Sequence, residues 1–373
     1  MTAAPMRRFI APPRYVQGPG ALRELPDILA EIGRRPLVVT DPDVERLMGE
    51  QLQEVLRAQP PPLCLRGAIT ASAVARLAEE ARSLRPDVIL GIGGGKALDA
   101  GKGVARDLGL PYISVPTIAS NDAATSRAIA HYDENDGTLK VGTLGRNPDA
   151  VVVDTDVIVR APVRFLRCGI GDALAKAQEA EACATSPAGR TLLGSRPSAS
   201  GLALAQACHA ILRTHAAAAL TSAAENKTDP AFEAVVEAVI LMSGLGFENG
   251  GLSVAHAMTR GLMLAPRTRA YAHGEHVAYG LLVQLALDAD DATLADEQSF
   301  VHSIGLPVRL HDFAAGSIEA SEYEFLAQKA LTASQHIRNY PRTLNAAALV
   351  RAIERVEGLP TAAREPACNL PSN

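Results

Sequence analysis

Three segments that lie far apart in the sequence carry side chains of the types that bind divalent metal ions. The first, Gly171–Lys176, contains Asp172, the second, Gly250–His256, ends on a histidine, and the third, Ala272–Val277, contains His273 and His276. One carboxylate and two imidazoles can hold a divalent cation and leave one coordination position for water or substrate. The segments therefore predict a metal centre that polarises an oxygen atom.

Each of these residues also has an ordinary structural interpretation. We expect Asp172 near the start of a helix, where an aspartate is commonly a cap, and His256 lies in an apolar helical run, where a packed histidine is common. His273 and His276 are three residues apart and could face the same way, so the residues alone leave open which one is the ligand. Two neighbouring carboxylates are candidate hydrogen-bond partners of the imidazoles, or are merely solvated: Glu248 and Glu275.

A glycine-rich turn follows an apolar run in Val88–Asp99. Its glycines, between Gly91 and Gly95, let backbone amides approach phosphate oxygens, and the N-terminus of the following helix favours negative charge. Lys96 stands where the dinucleotide fingerprint has its third glycine, and Ala97 stands where a Walker A loop has Ser or Thr. A plain tight turn is the alternative to the phosphate site that this turn predicts.

Two further polar positions follow predicted strands. Asp41 either accepts hydrogen bonds from the ribose hydroxyls of an adenosine, which would repel a 2′-phosphate, or caps the helix ahead of Val44. The segment Val115–Asp122 supplies two hydroxyls, an amide and a carboxylate directly after a strand. Open α/β sheets bind ligands at the carboxyl ends of their strands, so this loop is expected in a ligand site.

The elements that must position these residues change in character near Pro162. Before it, strands alternate with helices, which predicts a parallel sheet with helices on both faces. The predicted strands are 37–40, 87–92, 112–115 and 150–153, and the predicted helices are 44–57, 71–84 and one from about 96. After it, periodic segments predict only helices, at 164–184, 199–215, 230–246, 251–263, 275–289, 319–333 and 345–356. We therefore predict an N-terminal α/β nucleotide-binding domain, 1–160, and an all-α C-terminal metal-binding and catalytic domain, 161–373.

Composition narrows the class of protein. The chain has 373 residues with 47% hydrophobic and 21% charged side chains, which is typical of a globular protein with two domains. Its net charge of −5 gives no electrostatic reason to expect a nucleic acid or an anionic membrane as partner. Five cysteines without a CxxC pair fit a reducing compartment, and no signal peptide or charge-free transmembrane window is apparent. We therefore expect a cytoplasmic location.

Taken together, the motifs resemble the glycerol dehydrogenase branch of the iron-containing, or group III, alcohol dehydrogenases. The resemblance covers nearly the whole chain and is carried by Gly91–Asp99, Val115–Asp122, Gly169–Ala175, Gly244–His256 and His273–Gly280. It implies an architecture like that of dehydroquinate synthase, a homo-oligomer, and NAD with zinc, or alternatively iron, as cofactors.

The resemblance also assigns roles to residues. It implies Asp172, His256 and His273 as metal ligands with catalytic roles, leaves His276 outside the ligand set, and puts Asp122 at the substrate hydroxyls. It places NAD against Asp41, Gly93, Gly94, Gly95, Asp99, Thr117, Ser120, Ser126, Ala128 and Tyr132.

Departures from the family pattern bear on the substrate. Ala124 replaces a proline in the loop after Asp122, while Arg127 and His131 replace small or apolar residues. Arg260 lies four residues after His256, so both could face the same side of a helix. We expect Asp122 and Phe247 at the floor of the pocket, with Arg127 and Arg260 as candidates for its rim; core packing and solvation are the alternatives for Phe247 and Arg260.

The implied activity is NAD-dependent oxidation of a secondary hydroxyl of a small polyol, of the glycerol to dihydroxyacetone type. A phosphorylated or otherwise anionic polyol or cyclitol is the alternative substrate, as in glycerol-1-phosphate dehydrogenases. A lyase of the dehydroquinate synthase kind is less favoured because Asp172 stands where that family has a Glu ligand. A nucleotide-sensing module without catalysis would require the three metal-binding segments to be accidental.

Overall fold

The computed structural model describes residues 6–56, 60–134 and 139–359. Within them the chain divides into two compact units, which we call the α/β unit and the helical unit. The α/β unit comprises residues 11–161 and 226–228, and the helical unit comprises 6–10, 162–225 and 229–359. The chain passes from one to the other at Pro162, where the sequence pattern also changes.

The α/β unit is built on a six-stranded parallel sheet with the strand order β1-β8-β5-β4-β2-β3. Its strands are β1 Tyr15–Gly18, β2 Pro36–Thr40, β3 Leu63–Cys64, β4 Val88–Gly93, β5 Tyr112–Pro116 and β8 Ala150–Asp154. Strands β6 Ala128–Tyr132 and β7 Leu139–Thr143 form a separate antiparallel pair. The four strands predicted from apolar runs, β2, β4, β5 and β8, are confirmed, whereas the edge strands and the antiparallel pair were not predicted.

Helices cover both faces of this sheet, because alternate strand residues point to opposite sides. The helices are α1 Leu25–Ile32, α2 Pro42–Leu56, α3 Ala71–Leu84, α4 Gly95–Leu108 and α5 Thr155–Ile158. Val38 and Leu90 pack into the core beneath α1 and α2. Leu37 and Ile89 pack into the core beneath α3 and α4. The predicted parallel sheet with two helical layers is therefore confirmed; Arg57, at the end of one predicted helix, lies outside the described residues.

The helical unit contains no strand among its described residues. Its helices are α6 Val163–Leu174, α7 Lys176–Thr185, α8 Ala199–Ala224, α9 Pro230–Glu237, α10 Ser243–Gly250, α11 Val254–Leu262, α12 His273–Leu285, α13 Asp291–Ser303, α14 Leu310–Phe313, α15 Ala320–Ala333 and α16 Ala346–Gly358. A π-helical stretch, Ala238–Met242, joins α9 to α10, and a short 3-10 helix spans Gln335–Asn339.

The predicted helical segments differ from the structure at several places. The segment 199–215 continues as α8 to Ala224. The segment 164–184 consists of two helices, α6 and α7, which meet at Ala175. The segment 230–246 extends to Gly250 through the π-helical stretch. The segment 251–263 begins as a helix only at Val254, because Gly251 has a φ of 92° that ends α10. Helix α13 was missed because its polar and apolar residues give little helical periodicity.

One stretch, Pro230–Gly250, is long and apolar enough to cross a membrane by length and composition, among the described residues. Of the most apolar part of this stretch, 56% is buried inside the fold. Core helices of globular proteins pass the same test, so this stretch gives no reason to assign a membrane-spanning role.

Helices α6 and α12 approach each other unusually closely where glycines face each other. A Cβ atom on Gly274 would lie 1.7 Å from the carbonyl oxygen of Cys168, and one on Gly171 would lie 2.5 Å from the carbonyl oxygen of Gly274. Both distances are far below van der Waals contact, so neither position has room for a side chain. The close approach brings the end of α6 against the start of α12, where Asp172 and His273 lie.

We predict that Gly274→Ala disrupts this helix contact. The methyl group would have to push α12 away from the backbone of Cys168, and we expect a loss in the free energy of unfolding of at least ~1–3 kcal/mol. Thermal or urea unfolding measures this loss. Gly358→Ala is the matched control: its Cβ would meet nothing within 4 Å at the end of α16, so unfolding should be unchanged or slightly harder. Equal stability of parent and Gly274→Ala would contradict the close packing.

Candidate active site

The helical unit brings the three predicted metal-binding side chains together on three different helices. Asp172 lies in the last turn of α6, His256 in the first turn of α11, and His273 at the first position of α12. One ligand atom from each lies within 4.8 Å of the others. Asp172 Oδ1 is 3.2 Å from His256 Nε2 and 3.7 Å from His273 Nε2. This donor set matches a catalytic metal site with three protein ligands.

Asp172 does not lie near the start of a helix, and that prediction is wrong. Helix α6 ends at Leu174, so Asp172 sits at its C-terminal end, where its negative charge opposes the helix dipole. The carboxylate is only 2% exposed and contacts Lys176 and His256 instead of backbone amides at a helix start. A residue kept in this unfavourable setting is held by its partners in the site.

Glu179, on α7, fixes the orientation of His256. Its Oε2 lies 2.6 Å from His256 Nδ1, and its Oε1 accepts hydrogen bonds from the backbone N–H groups of Ser253 and His256. It thereby caps the start of α11, which has no side-chain cap of its own. Since a carboxylate only accepts, Nδ1 donates, and in the neutral ring Nε2 keeps the lone pair that a metal ion requires.

The ionisable groups of the site are strongly coupled. Burial raises the pKa of Asp172, but Lys176 and the two histidines outweigh it and hold that pKa well below its usual range. Burial likewise opposes ionisation of Glu179, yet His256 and Lys176 keep its pKa below the usual value. Partial desolvation, followed by His256 and Lys176, lowers the pKa of His273, although Asp172 opposes this. Two carboxylates and a neutral His273 are therefore the forms that this cluster favours.

The other predicted neighbours of the imidazoles have different roles. His276 is buried, and its Nε2 donates to the carbonyl oxygen of Thr268 at 2.9 Å, away from the three-residue group. Glu275 accepts from the backbone N–H of Ala272 at 2.7 Å and so caps α12. Glu248 is fully buried and is not solvated. The proposed partnership of Glu275 with an imidazole was therefore wrong, and Glu179 takes that role at His256.

A lysine that the sequence reasoning overlooked lies inside the site. Lys176, at the start of α7, is 1% exposed, and its Nζ lies 2.8 Å from Asp172 Oδ1 and 3.2 Å from His256 Nε2. Its Nζ also lies 6.0 Å from the centroid of the Phe247 ring, which puts that predicted pocket residue beside the site. Asp172, Lys176 and Glu179 follow the spacing i, i+4, i+7, which marks one face of a helix and was the signal available in the sequence.

In the α/β unit, the glycine turn lies at the carboxyl ends of β4 and β5. Gly93 has a φ of 146°, which favours glycine, and its carbonyl oxygen accepts from the N–H of Thr117. A Cβ on Gly94 would lie 2.8 Å from Ile118, and one on Gly95 would lie 2.8 Å from Asn121. The glycine turn and the polar loop after β5 are thus packed together, as parallel strands with a common edge require.

Asp41 lies at the end of β2, beside this turn. Its Oδ1 accepts from the N–H groups of Asp43 and Val44, so it caps α2. A Cβ on Gly93 would lie 3.2 Å from its Oδ2, so the second oxygen faces the glycine turn. The capping interpretation of Asp41 is therefore correct, and the same carboxylate retains an oxygen at the predicted cofactor site.

Asp99, on α4, is nearly buried, and both its oxygens have protein partners. Oδ1 pairs with Lys102 Nζ at 2.7 Å, and Oδ2 accepts from the N–H of Ala130 at 2.9 Å. Lys102 also donates to the carbonyl oxygen of Ala128. Burial raises the pKa of Asp99, and Lys102 opposes that rise. The pair fastens strand β6 to α4, so Asp99 has a structural role beside its predicted cofactor contact.

The remaining predicted residues of this unit lie between β5 and the end of β6. Ser126 Oγ accepts from the N–H of Ala128, and the N–H of Tyr132 donates to Ile69. The backbone carbonyl of Asp122 accepts from Thr125 and Ser126, which makes a tight turn. The loop that holds Asp122 also contains Ser120 and Arg127, and Arg127 directly precedes β6.

Comparison with known proteins identifies the family. The family profile described as iron-containing alcohol dehydrogenase matches residues 12–155. A glycerol dehydrogenase of Thermotoga maritima is 38% identical over 336 residues, which cover 89% of this chain and 92% of that protein. The chain belongs to the iron-containing alcohol dehydrogenases, in their glycerol dehydrogenase branch. A glycolaldehyde reductase of Halobacterium salinarum is 35% identical with the same coverage of both chains.

Solved structures of this family share the fold. The structure of a probable glycerol dehydrogenase from Sinorhizobium meliloti is 34% identical and has a TM-score of 0.87, covering 94% of this chain and 98% of that chain. The protein is accordingly an NAD-dependent dehydrogenase of this family, and membership implies that it binds NAD and a metal ion. The donor set at Asp172, His256 and His273 fits a divalent metal, because the three ligand atoms lie within 4.8 Å of one another and Glu179 favours the His256 tautomer whose Nε2 can serve as a ligand.

We predict that Glu179→Gln weakens metal binding about 10- to 100-fold. The amide would lose the negative charge beside His256 and could no longer favour the Nδ1–H tautomer as strongly. Titration of the metal-free protein against a chelator measures the dissociation constant. Glu181→Gln, an exposed change on the same helix α7, is the matched control and should bind metal like the parent. Equal affinities in both variants would show that Glu179 does not act through His256.

Proposed function

We propose that the protein oxidises a secondary hydroxyl of a small polyol with NAD, and that Asp172, His256 and His273 hold a zinc ion for this reaction. The observation that supports the proposal best is the convergence of these three ligand atoms within 4.8 Å on three helices. One carboxylate and two imidazoles suit zinc, and iron is the alternative that the same donors can bind. When bound, such a metal supplies a Lewis acid that favours the alkoxide form of a hydroxyl.

The surrounding residues of this chain orient the metal ligands and exclude water from part of the site. Glu179 holds the ring of His256, and burial of Asp172 excludes water from one side of the ligand set. Phe247 offers an apolar wall next to Lys176. His273, whose side chain is 40% exposed, is the most accessible of the three ligands to a substrate. Hydride transfer also requires the nicotinamide within contact of the substrate carbon.

The proposed NAD site occupies the edge of the sheet in the α/β unit. Amides of Gly93, Gly94 and Gly95 and the start of α4 suit the pyrophosphate. Asp41 Oδ2 suits the adenosine ribose. The further contacts proposed for NAD are Asp99, Thr117, Ser120, Ser126, Ala128 and Tyr132, and the substrate contacts proposed are Asp122, Phe247, Arg127 and Arg260.

The names of the relatives support a hydroxyl or carbonyl substrate, but they refer to different compounds. The Thermotoga protein is named for glycerol and the Halobacterium protein for glycolaldehyde, at similar identities to this chain. We propose a glycerol-type substrate as the starting assignment, in a cytoplasmic homo-oligomer without nucleic-acid or membrane partners. The fold family also supports the dehydrogenase over the lyase, because the relatives named here are dehydrogenases and reductases.

We predict that His273→Ala loses most of its bound metal and at least ~100-fold in kcat/KM, since a metal contributes several kcal/mol to the transition state. Elemental analysis and NADH formation from glycerol are the measurements. His276→Ala is the control on the same helix: it should lower the melting temperature, because a buried hydrogen bond to Thr268 is lost, but keep its metal. The reverse pattern of metal content would exchange the roles of the two histidines.

We predict that the parent prefers NAD to NADP and that Asp41→Ser weakens this preference. Serine can still cap α2, so the substitution removes the negative charge that faces the ribose while leaving the helix start intact. The ratio of kcat/KM for the two cofactors is the measurement. Asp43→Ser, which changes an exposed acid in the first turn of α2, should leave the ratio unchanged. Equal use of both cofactors by the parent would refute the role of Asp41.

A further inference from the structure

The ammonium group of Lys176 lies among the proposed metal ligands, although a three-ligand site does not require it. Its Nζ contacts Asp172 Oδ1 at 2.8 Å and His256 Nε2 at 3.2 Å, and the side chain is 1% exposed. Burial of a charged group costs free energy unless the charge is paired and hydrogen-bonded. The lysine is therefore held at this place by the same atoms that would bind the metal.

The two contacts of Lys176 described above would respond differently to a bound metal ion. His256 Nε2 has a single lone pair, since Nδ1 donates to Glu179, and that lone pair serves either the ammonium or a metal ion. Asp172 Oδ1 has a second lone pair and can keep the ammonium while it serves as a ligand. With a metal ion bound, Lys176 could therefore keep its hydrogen bond to Asp172, and the N–H released by His256 would become available to an acceptor beside the ligand set.

The charges of the site favour an anion as that acceptor. A divalent ion would be balanced by the carboxylates of Asp172 and Glu179, and Lys176 adds a positive charge beside them. Arg260 adds another positive charge. Burial is the main cause that lowers the pKa of His336 to about 4. The charges of His256, Arg260 and Lys176 lower it further, although Glu179 opposes them. The positive charges of Lys176 and Arg260 thus both act on the half-buried His336, on the 3-10 helix Gln335–Asn339.

We propose that Lys176 recognises a carboxylate on the carbon next to the reacting hydroxyl, so that the preferred substrates are 2-hydroxycarboxylates. This inference rests on the proposed oxidation of a secondary hydroxyl with NAD and concerns only the group on the neighbouring carbon. Because Lys176 remains tethered to a metal ligand, the group that it binds lies within one carbon of the reacting oxygen. A phosphate ester places its charge two bonds further away and fits this tether less well.

The reaction balances without any additional reactant. The C–H bond at C2 breaks, and the hydride passes to the nicotinamide of NAD⁺, while the hydroxyl proton is released to solvent. The products are a 2-oxocarboxylate and NADH, and the carboxylate is unchanged throughout. Lys176 is assigned to substrate binding alone and takes no part in this proton balance.

The test compares lactate with propane-1,2-diol, which share the same secondary hydroxyl and differ only in the carboxylate. With the zinc-loaded protein and NAD⁺, one enantiomer of lactate should exceed the diol in kcat/KM by at least about tenfold. Lys176→Met keeps the length and apolar stem of the side chain, and we expect the lactate-to-diol ratio to fall about 10- to 100-fold. Lys329→Met, the same change on α15, should leave the ratio at the parent value.

Two measurements on binding make the test independent of turnover. Oxalate, a dicarboxylate without a hydroxyl, should inhibit oxidation of propane-1,2-diol competitively in the unmodified protein, and Lys176→Met should weaken this inhibition. Chelator competition should show tighter zinc binding in Lys176→Met, because the ammonium no longer competes for the His256 lone pair. If Lys176→Met does not fold, the absence of oxalate inhibition in the parent overturns the proposal.

Other outcomes separate this inference from the function on which it rests. Zinc-dependent NADH formation with a preference for the diol, or an unchanged ratio in Lys176→Met, overturns the role of Lys176 and leaves the polyol dehydrogenase in place. A preference for glycerol 1-phosphate over lactate shows a more distant anion site and also overturns it. Absence of NADH from all of these compounds refutes the proposed function, and the substrate inference with it.

Discussion

The site in the helical unit depends on the buried carboxylate of Asp172. A negative charge that is 2% exposed costs several kcal/mol unless cations and hydrogen bonds surround it. Here those partners come from three helices: Lys176 from α7, His256 from α11 and His273 from α12. Each of these helices therefore has to end or begin at the same place, and the positions of its neighbours follow from that requirement.

Two features allow the ends of these helices to lie close together. Gly171 and Gly274 let α6 and α12 approach within backbone contact, which no side chain at either position would permit. Glu179 then replaces a conventional cap at the start of α11 and holds His256 with the same carboxylate. Packing and electrostatics are thus not separable here, because the residue that stabilises the helix start is also the one that sets the histidine tautomer.

The sequence predicted those parts of the structure that local patterns determine. Apolar runs predicted the four inner strands of the sheet, β2, β4, β5 and β8, and the glycine turn was placed at the correct strand end. Strands β6 and β7 were missed because they include charged and polar residues such as His131 and Lys140 and are only half buried. Helix α6 was continued through Ala175 because both α6 and α7 have helical periodicity. Asp172 was expected near a helix start because Gly171 precedes it, but α6 runs through both residues.

The candidate site was harder to predict because its supporting residues are defined by contacts between helices. The three ligand types could be named from their segments, but the partner of His256 was sought in sequence neighbours such as Glu275, which instead caps its own helix. Glu179 lies 77 positions from His256, and no local pattern links them. Only the helical spacing of Asp172, Lys176 and Glu179 indicated that they share a face. The spacing alone does not show which residues of other helices contact that face.

Two buried acid–lysine pairs show why contacts decide between a structural and a chemical role. Asp99 and Lys102 are three residues apart, Asp172 and Lys176 are four apart, and both pairs are almost inaccessible. In the first pair the backbone of β6 supplies further partners, the N–H of Ala130 and the carbonyl of Ala128, so the pair has a structural role. In the second, the lysine shares its carboxylate with imidazole nitrogens whose lone pairs suit a metal ion. The charge of Lys176 is therefore coupled to whatever binds there, and a buried lysine in that position can influence which substrates the site accepts.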